Sequence, residues 1–272
     1  MEYLLNAAIK GVIEGVTEFL PISSTGHLIL VRDFFPLTSD PARTEKLNDL
    51  FDIVIQFPAI LAIVVLYRQR LWNSARTFFS RQESQHFWIT LVLAFLPAAV
   101  IGLLVHKHIE EMLMFPKPVA CALIVGGIAL LLVEKIMGNG STERAENVST
   151  RTGIAIGFWQ CLGMIPGTSR SGATIVGARA HNLTRSAAAE FSFFLALPTM
   201  LGAFAFKMFE YRKLIQASDI PVLAVGSITS FVVAAIVVYW FIRFLQTNKS
   251  GLMWFGAYRI IVGLVVLYFA MK

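Results

Sequence analysis

Long apolar stretches alternate with short polar connections along the whole chain. Eight apolar segments stand out, each bounded by charged or turn-forming residues, and their approximate bounds are 4–31, 50–67, 87–105, 118–133, 153–178, 188–206, 220–240 and 252–271. A helix needs about 20 apolar residues to cross the hydrocarbon core of a bilayer, and most of these segments come close to that length. The pattern therefore predicts an all-α integral membrane protein.

Two of these segments, 4–31 and 153–178, carry polar clusters and helix-breaking residues at their centres. The first is interrupted at Pro21, and the second is interrupted at Pro166 and Gly167. Irregular backbone at membrane depth is tolerated only where it is buried in protein or lines a wet cavity. We therefore expect about six transmembrane helices plus two re-entrant helical hairpins.

The two interrupted segments resemble each other, which predicts an internal repeat. GVIEGVTEFL (11–20) aligns with GIAIGFWQCL (153–162), with two glycines at the same spacing in each. The repeats would cover about 1–135 and 150–272, each with one hairpin and three crossings, within a single membrane domain of residues 1–272. An odd number of crossings inverts the second half, so the hairpins of this inverted-topology repeat would enter from opposite faces.

Composition and charge agree with a membrane protein and leave its orientation open. Charged residues make up 15% of the chain and hydrophobic residues 56%, whereas a soluble domain has roughly 25% charged residues. The net charge is +6. The basic residues lie mostly in short loops without a basic helix face, so we attribute the charge to contact with anionic membrane lipids and expect no nucleic-acid partner. They divide almost evenly between the two faces, so the positive-inside rule does not decide the orientation.

Glu14 and Glu18 are spaced i,i+4, so on a helix both carboxylates face the same way. Ionisable residues inside a membrane are costly and usually mark function. A divalent cation would relieve the repulsion, and Mg²⁺ commonly connects one or two carboxylates to substrate phosphates. The pair therefore predicts a metal site, with Mg²⁺ as the first choice and Ca²⁺ as the alternative. The other interpretation is a pair of solvated acids at an interfacial helix.

Three hydroxyl residues, Ser23, Ser24 and Thr25, come shortly after Glu18. Gly26 and His27 follow them. Taken alone, this run is compatible with a helix N-cap. Beside two carboxylates, it also supplies a hydroxyl nucleophile and a general base or acid. We predict Ser24 as the nucleophile and His27 as the proton carrier, with a metal-held water as the alternative nucleophile. Ser23 and Thr25 would bind the substrate.

The run PGTSRSGAT (166–174) carries the strongest signal for anion binding. Gly and small hydroxyl residues permit a tight turn whose backbone N–H groups converge, and the next helix adds its positive end. Arg170 adds a planar fork of donors that suits phosphate oxygens, so we predict it as a catalytic residue. The predicted substrate-binding neighbours are Thr168, Ser169, Ser171 and Gly172. The alternative is an interhelical turn whose Arg extends to the membrane surface.

Several polar residues lie inside other apolar segments. Asp52, Gln56 and Glu190 would either hold the hairpin side chains in place or form ordinary hydrogen bonds between helices. Tyr258 and Arg259 lie in the last apolar segment, where we expect them to anchor the helix at the membrane interface.

EGVTEFLPISSTGH (14–27) and PGTSRSGATI (166–175) together resemble the two signature motifs of the bacterial undecaprenyl-diphosphate phosphatases of the bacitracin-resistance type. The likeness covers nearly the whole chain and extends to FDIVIQ (51–56), to AAAEFSFFLALP (187–198) and to the Tyr258-Arg259 pair. Two departures are visible, since Pro58 stands where Gly is expected and Asp52 stands where Glu is common. These departures concern local helix geometry, and the acidic and Arg motifs are intact.

The resemblance implies a multi-pass enzyme of the bacterial cytoplasmic (inner) membrane that removes the terminal phosphate from undecaprenyl diphosphate. This reaction recycles the lipid carrier for cell-wall synthesis. The family pattern assigns Glu14 and Glu18 to an acidic motif that works with a divalent metal. It assigns Ser24 and His27 to catalysis, and Ser169 with Arg170 to the phosphate-binding loop. It also implies six crossings with two re-entrant hairpins, a homodimer, and an active site that faces the periplasmic side.

Two other functions stay open from the residues alone. A lipid-phosphate transporter or flippase would share the inverted repeat, and its Arg loop would bind a lipid phosphate without cleaving it. An intramembrane serine protease would use Ser24 and His27, but it leaves the two acidic residues and Arg170 without a purpose. Release of phosphate in a detergent micelle separates hydrolysis from transport, because transport leaves no free phosphate.

Overall fold

The computed structural model describes residues 1–113 and 115–271, and these residues fold almost entirely into α-helices. The helices are α1 Glu2–Thr17, α2 Ser24–Val31, α3 Pro41–Leu66, α4 Arg68–Arg76, α5 Gln82–Leu113, α6 Pro116–Ile136, α7 Thr150–Cys161, α8 Arg170–Ala180, α9 Arg185–Tyr211, α10 Ile220–Thr247 and α11 Gly251–Ala270. The predicted all-α class is confirmed.

Within the described residues, six helices are long and apolar enough to cross a membrane, namely α3, α5, α6, α9, α10 and α11. Their outer faces carry large exposed apolar side chains, such as Leu104 at 74% exposure and Ile228 at 65%. An apolar surface of this extent suits contact with lipid tails rather than with water. The chain is therefore a multi-pass membrane protein, and the expected number of about six spanning helices is confirmed.

The two interrupted segments each form a pair of short helices. The first pair is α1 and α2, joined by a turn over residues 18–23, and the second pair is α7 and α8, joined by residues 162–169. None of these four helices is among the six that are long enough to span a bilayer. Pro21 and Pro166 lie in the two turns, where a residue without an N–H is tolerated because no helical hydrogen bond is needed.

The first helix of each pair packs closely against a spanning helix from the other half of the chain. Helix α1 lies on α10, and α7 lies on α5. A Cβ added to Gly15 of α1 would sit 2.7 Å from the Ser230 carbonyl oxygen, and one added to Gly157 of α7 would overlap the Ala94 carbonyl oxygen. These glycines therefore permit a close approach of backbones that any side chain would prevent.

As a result, the two turns touch each other inside the bundle. The Ser171 hydroxyl, at the start of α8, donates to the Leu20 carbonyl oxygen of the first turn at 2.9 Å. Helices α6 and α11 pack on each other next to this contact, because α6 touches both α2 and α8. The fold thus places the two polar motifs, which lie far apart in the sequence, in one location.

Candidate active site

Both turns end at a serine with left-handed backbone geometry. The φ angle is 75° at Ser23 and 71° at Ser169. Each serine caps the helix that follows: the Gly26 N–H donates to Ser23 Oγ at 3.3 Å, and the Gly172 N–H donates to Ser169 Oγ at 3.0 Å. Residues other than Gly rarely adopt this conformation, and such strain is often found at functional sites. The two caps set the direction of the side chains that come next.

The residue after each cap bonds to the same carboxylate, that of Glu18. The Ser24 hydroxyl donates to one of its oxygens at 2.6 Å, and the Arg170 guanidinium donates to the other at 2.8 Å. Arg170 also donates to the Ser192 carbonyl oxygen at 3.1 Å, which fixes the guanidinium against α9. Glu18 is buried, and the start of both α2 and α8 lies beside it. Two helix N-termini therefore add positive potential to the Glu18–Arg170 pair.

Glu14 lies one helical turn before Glu18, and the Glu18 N–H donates to the Glu14 carbonyl oxygen at 2.9 Å. The Glu14 side chain is fully buried, and neither carboxylate oxygen has a hydrogen-bond partner among the described residues. A buried carboxylate without a partner is costly unless a cation or a proton neutralises it. A divalent cation bound by the two acids would remove this cost, as would a proton on Glu14.

A metal at this point would depend on additional ligands. The described side chains include no group of three or more His, Cys, Asp or Glu residues arranged to hold a metal ion. Both oxygens of Glu18 are already hydrogen-bonded, to Ser24 and to Arg170. A cation held by both acids would therefore require Glu18 to release Ser24 or Arg170.

A cavity of about 540 Å³ opens beside the Glu18–Arg170 pair. Its polar wall includes Ser23, Ser24 and Thr25. Its apolar wall lies between α5 and α9 and is lined by Phe95, Ala98, Ala99, Leu103, Met164 and Ala203. A molecule with a charged headgroup and a hydrocarbon tail would contact both walls, whereas a small hydrophilic substrate would leave the apolar wall without a partner.

His27 is hydrogen-bonded to neither Ser24 nor Glu18. Its Nδ1 lies 2.7 Å from the Ser23 carbonyl oxygen, and its Nε2 lies 2.8 Å from the Tyr258 hydroxyl, on which its ring also stacks. The structure thus gives the Ser24 hydroxyl a carboxylate as its acceptor instead of the imidazole. The role of His27 as the proton carrier stays a prediction.

The rest of the second motif mostly shapes its own turn. The Ser171 hydroxyl lies 3.0 Å from the Ser169 hydroxyl in addition to its bond with the first turn. The Thr168 N–H donates to the Ile165 carbonyl oxygen at 3.0 Å. Of the four predicted substrate-binding residues in this motif, Ser169 is the one that borders the cavity together with Arg170.

The polar residues of the long helices lie in three different surroundings. Gln56 lines the cavity. Asp52 accepts a hydrogen bond from Arg32 at 3.1 Å, and Glu190 accepts one from Arg70 at 2.8 Å. Gln56 is therefore placed near the predicted catalytic side chains, while the other two join neighbouring parts of the chain through ion pairs. Whether these three residues influence the hairpins stays a prediction.

Comparison with known proteins identifies the family. The family model described as Bacitracin resistance protein BacA matches residues 7–265. The chain belongs to this family. The resemblance noted in the two sequence motifs is thereby confirmed.

Curated relatives in the family match almost the full length of the chain. Undecaprenyl-diphosphatase 1 of Mesorhizobium japonicum is 42% identical over 263 residues, which cover 96% of this chain and 95% of the relative. The undecaprenyl-diphosphatase of Nitrosomonas europaea is 44% identical over 264 residues, which cover 97% and 93% of the two chains. An undecaprenyl-diphosphatase of Pseudomonas aeruginosa is 44% identical over 261 residues, which cover 96% and 91%.

The side chain of Arg259 lies in a buried position that the sequence pattern did not indicate. The expectation that it anchors α11 at the membrane interface is wrong, because its side chain is 0% exposed. Its guanidinium donates to the carbonyl oxygens of Pro21 at 3.1 Å and of Gly167 at 3.0 Å, one in each turn. It also donates to Ala122 and Leu123 of α6 at 3.2 and 3.3 Å. Carbonyl groups freed where a helix breaks need donors, and a guanidinium provides five.

Two glycines make room for this buried side chain. A Cβ added to Gly172 would sit 2.7 Å from the Arg259 guanidinium, and one added to Gly126 would overlap it. The available signal in the sequence was an Arg with apolar residues on both sides. An ionisable residue at such a depth indicates a buried partner, although the sequence does not reveal which one.

Proposed function

We propose that the chain is a membrane phosphatase that hydrolyses undecaprenyl diphosphate to undecaprenyl phosphate and inorganic phosphate, and so recycles the lipid carrier of cell-wall synthesis. The observation that carries this proposal is the meeting of Ser24, Glu18 and Arg170 beside a cavity with one polar and one apolar wall. The names of curated relatives at 42–44% identity agree with it.

In this proposal, Arg170 binds the terminal phosphate of the substrate. Its planar guanidinium suits two phosphate oxygens, and the N-terminal end of α8 adds unpaired N–H donors. Ser23, Thr25 and Ser169 border the same cavity and offer further polar contacts. When the phosphate arrives, Arg170 exchanges its bond with Glu18 for bonds with the substrate, which leaves the carboxylate free to accept a proton.

The Ser24 hydroxyl then attacks the terminal phosphorus in line with the bridging oxygen. Its proton passes to Glu18, the carboxylate that accepts its hydrogen bond at 2.6 Å, and from there to bulk water. The bond between the terminal phosphorus and the bridging oxygen breaks, and undecaprenyl phosphate leaves with the electron pair. Water next attacks the phosphorus of the phosphoserine, and the bond between this phosphorus and Ser24 Oγ breaks. The serine oxygen keeps the electron pair and takes a proton from the attacking water, and inorganic phosphate is released. The alternative is direct attack by a water molecule that Glu18 holds.

Glu14 and Glu18 would hold the divalent cation, with Mg²⁺ as the first choice and Ca²⁺ as the alternative. The unpartnered Glu14 carboxylate supports this assignment. When bound, the cation supplies positive charge that neutralises the diphosphate. Phosphoryl transfer depends mainly on such positioning and electrostatic stabilisation, so Arg170 and the acids would account for most of the rate enhancement.

We also propose that the two pairs of short helices are re-entrant hairpins in an inverted-topology repeat, with repeats near 1–135 and 150–272. The matching left-handed cap serines, Ser23 and Ser169, support this proposal. The crossed packing of α1 on α10 and of α7 on α5 supports it further. Each contact joins the first short helix of one half to the second spanning helix of the other half. Three spanning helices separate the hairpins, so they would enter from opposite faces.

The resemblance to the family supports three further parts of the proposal. The protein would lie in the bacterial cytoplasmic (inner) membrane, its active site would face the periplasmic side, and it would form a homodimer. The apolar wall between α5 and α9 would hold the first units of the prenyl tail.

The test is release of phosphate from a prenyl diphosphate by the purified protein in detergent, with Mg²⁺ and with EDTA. We expect metal-dependent release by the wild type, and loss of release in preparations of Glu18→Ala and Arg170→Ala that are still folded. Arg243→Ala, at an exposed position near the end of α10, is the matched control and should retain activity. A folded wild type that binds the lipid and releases no phosphate with either metal would overturn the phosphatase in favour of a lipid-phosphate transporter.

A further inference from the structure

A second polar cavity shares no lining residue with the cavity of the active site. Its volume is about 830 Å³, and it forms where α4, the start of α5 and the linker between α6 and α7 meet. The spanning part of α3 ends at Leu66 and that of α5 begins at Gln82. The cavity, which is lined by residues 73–87 and 144–147, therefore lies at one surface of the membrane.

This cavity has more cations than anions. Arg76, Arg81 and Arg144 line it, and no carboxylate of a described residue forms an ion pair with either of the first two. Arg144 lies 3.9 Å from the Glu146 carboxylate, which Arg70 already binds at 2.7 Å. The other acid in the wall is Glu83, so the guanidinium groups outnumber the carboxylates that could neutralise them.

The remaining wall offers hydrogen-bond donors of the kind that a phosphate takes. The Thr77 hydroxyl donates to the Asn73 carbonyl oxygen at 2.7 Å and lies 2.8 Å from the Ser84 hydroxyl, so these two side chains hold the turn between α4 and α5. The donors that the wall offers are amide side chains, contributed by Asn73, Gln82 and Asn147. Guanidinium and amide donors in one open cavity are complementary to a phosphate that carries negative charge.

Two exposed aromatic side chains lie close in sequence to the arginines of this cavity. Trp72 is 68% exposed and lies one helical turn before Arg76, and Phe79 is 91% exposed and lies two residues before Arg81. Trp and other aromatic side chains beside basic residues are typical of segments at the level of lipid headgroups. Beyond the cavity, the outer face of α5 continues as an exposed apolar stripe at helical spacing: Ile89, Val92, Leu96 and Val100.

We propose that this cavity binds the headgroup phosphate of an anionic phospholipid whose acyl chains lie along the apolar stripe of α5. A soluble anion would use the arginines and leave Trp72 and Phe79 exposed to water, whereas a phospholipid contacts the cations and the aromatic side chains together. Basic pockets beside transmembrane helices bind anionic headgroups in this manner. The proposal is independent of the phosphatase reaction, because no residue of the active site lines this cavity.

The experiment measures retention of phosphatidylglycerol and of phosphatidylcholine on the full-length protein by native mass spectrometry. The test variant is Arg76→Gln/Arg81→Gln/Arg144→Gln. The matched control is Arg151→Gln/Arg243→Gln/Lys249→Gln, which removes the same charge at exposed positions that do not line the cavity. We expect the wild type and the control to prefer phosphatidylglycerol, and the affinity of the test variant for it to fall at least about tenfold, because each basic residue at a membrane surface contributes about 1 kcal/mol.

Two further measurements keep the proposal open to contradiction. Equal retention of both lipids by the wild type, or equal affinity for phosphatidylglycerol in the test variant and the control, would overturn the site. Displacement of phosphatidylglycerol by millimolar inorganic phosphate would replace the lipid with a soluble anion as the ligand. If the test variant is unstable, the salt dependence of the wild type is the alternative test. We expect its preference for phosphatidylglycerol to weaken as salt rises from about 0.05 to about 0.5 M, because exposed charges become strongly screened over roughly this range.

Discussion

The two turns that meet inside the bundle have the same backbone arrangement and opposite chemistry. In each, a left-handed serine caps a short helix, and the next side chain contacts Glu18. In the first turn that side chain is the Ser24 hydroxyl, the turn itself begins at Glu18, and the preceding helix supplies Glu14. In the second it is the Arg170 guanidinium, and the residue that the alignment pairs with Glu18 is the uncharged Gln160.

This difference shows how one local structure supplies two halves of a site. The acidic turn alone would repel a diphosphate, and the basic turn alone offers no carboxylate to accept a proton. Buried charges of either sign are costly unless they are paired. The Glu18–Arg170 ion pair at 2.8 Å therefore stabilises both turns without substrate, and the substrate phosphate can take the place of one partner.

We expect the largest effect, a loss of kcat, from replacing Ser24 or Arg170, the two side chains by which the turns differ. Ser24→Ala and Arg170→Lys should each lower kcat for phosphate release by about 10² to 10³-fold, because one removes the nucleophile and the other removes the planar fork of donors. Steady-state kinetics with a prenyl diphosphate measure this. Arg243→Ala, at an exposed position near the end of α10, should stay within about twofold of the wild type. A Ser24→Ala protein with most of its activity would leave water as the nucleophile.

A large loss of stability is expected from the residue that joins the two turns. Arg259→Met leaves the Pro21 and Gly167 carbonyl oxygens of the two turns without their donor. Each such group costs about 1–3 kcal/mol, so the free energy of unfolding should fall by about 2 kcal/mol or more. Denaturant unfolding in detergent measures the change. Arg243→Met at an exposed position should change it by less than about 0.5 kcal/mol; equal values for the two variants would contradict the bridging role.

A smaller and matched effect tests whether the two turns are held in equivalent ways. Gly15→Ala and Gly157→Ala should each destabilise the protein by about 1–3 kcal/mol, because the new methyl group meets a backbone carbonyl of the facing helix. Gly202→Ala is the control, since its added Cβ would lie 3.6 Å from Phe95, an ordinary contact. Thermal unfolding in detergent measures all three. If one glycine tolerates alanine and the other does not, the crossed packing is not symmetric.

The smallest effects concern the two cap serines. Ser23→Ala and Ser169→Ala should each cost about 1 kcal/mol of stability through the lost cap. Ser23→Gly and Ser169→Gly should cost less, because glycine adopts a positive φ without strain. The four variants are compared by their unfolding midpoints. Alanine variants as stable as the glycine variants would show that the left-handed backbone does not limit either position.

The sequence alone determined the class of the protein and predicted the location of its chemistry. The hydrocarbon core of a membrane demands apolar helices of a certain length, so hydropathy located the six spanning helices. Polar residues are too costly at that depth to occur there without a reason, so Glu18, Ser24 and Arg170 stood out by their type and position. The structure brings these three residues together.

Only the tertiary structure decided which groups meet. It made Glu18 rather than His27 the hydrogen-bond partner of Ser24, placed Gln56 at the cavity, and buried Arg259 between the two turns. These contacts join segments that lie far apart along the chain. Hydropathy and motif spacing describe each segment by itself, whereas the partner of a buried side chain depends on which helices pack together and how closely their backbones approach.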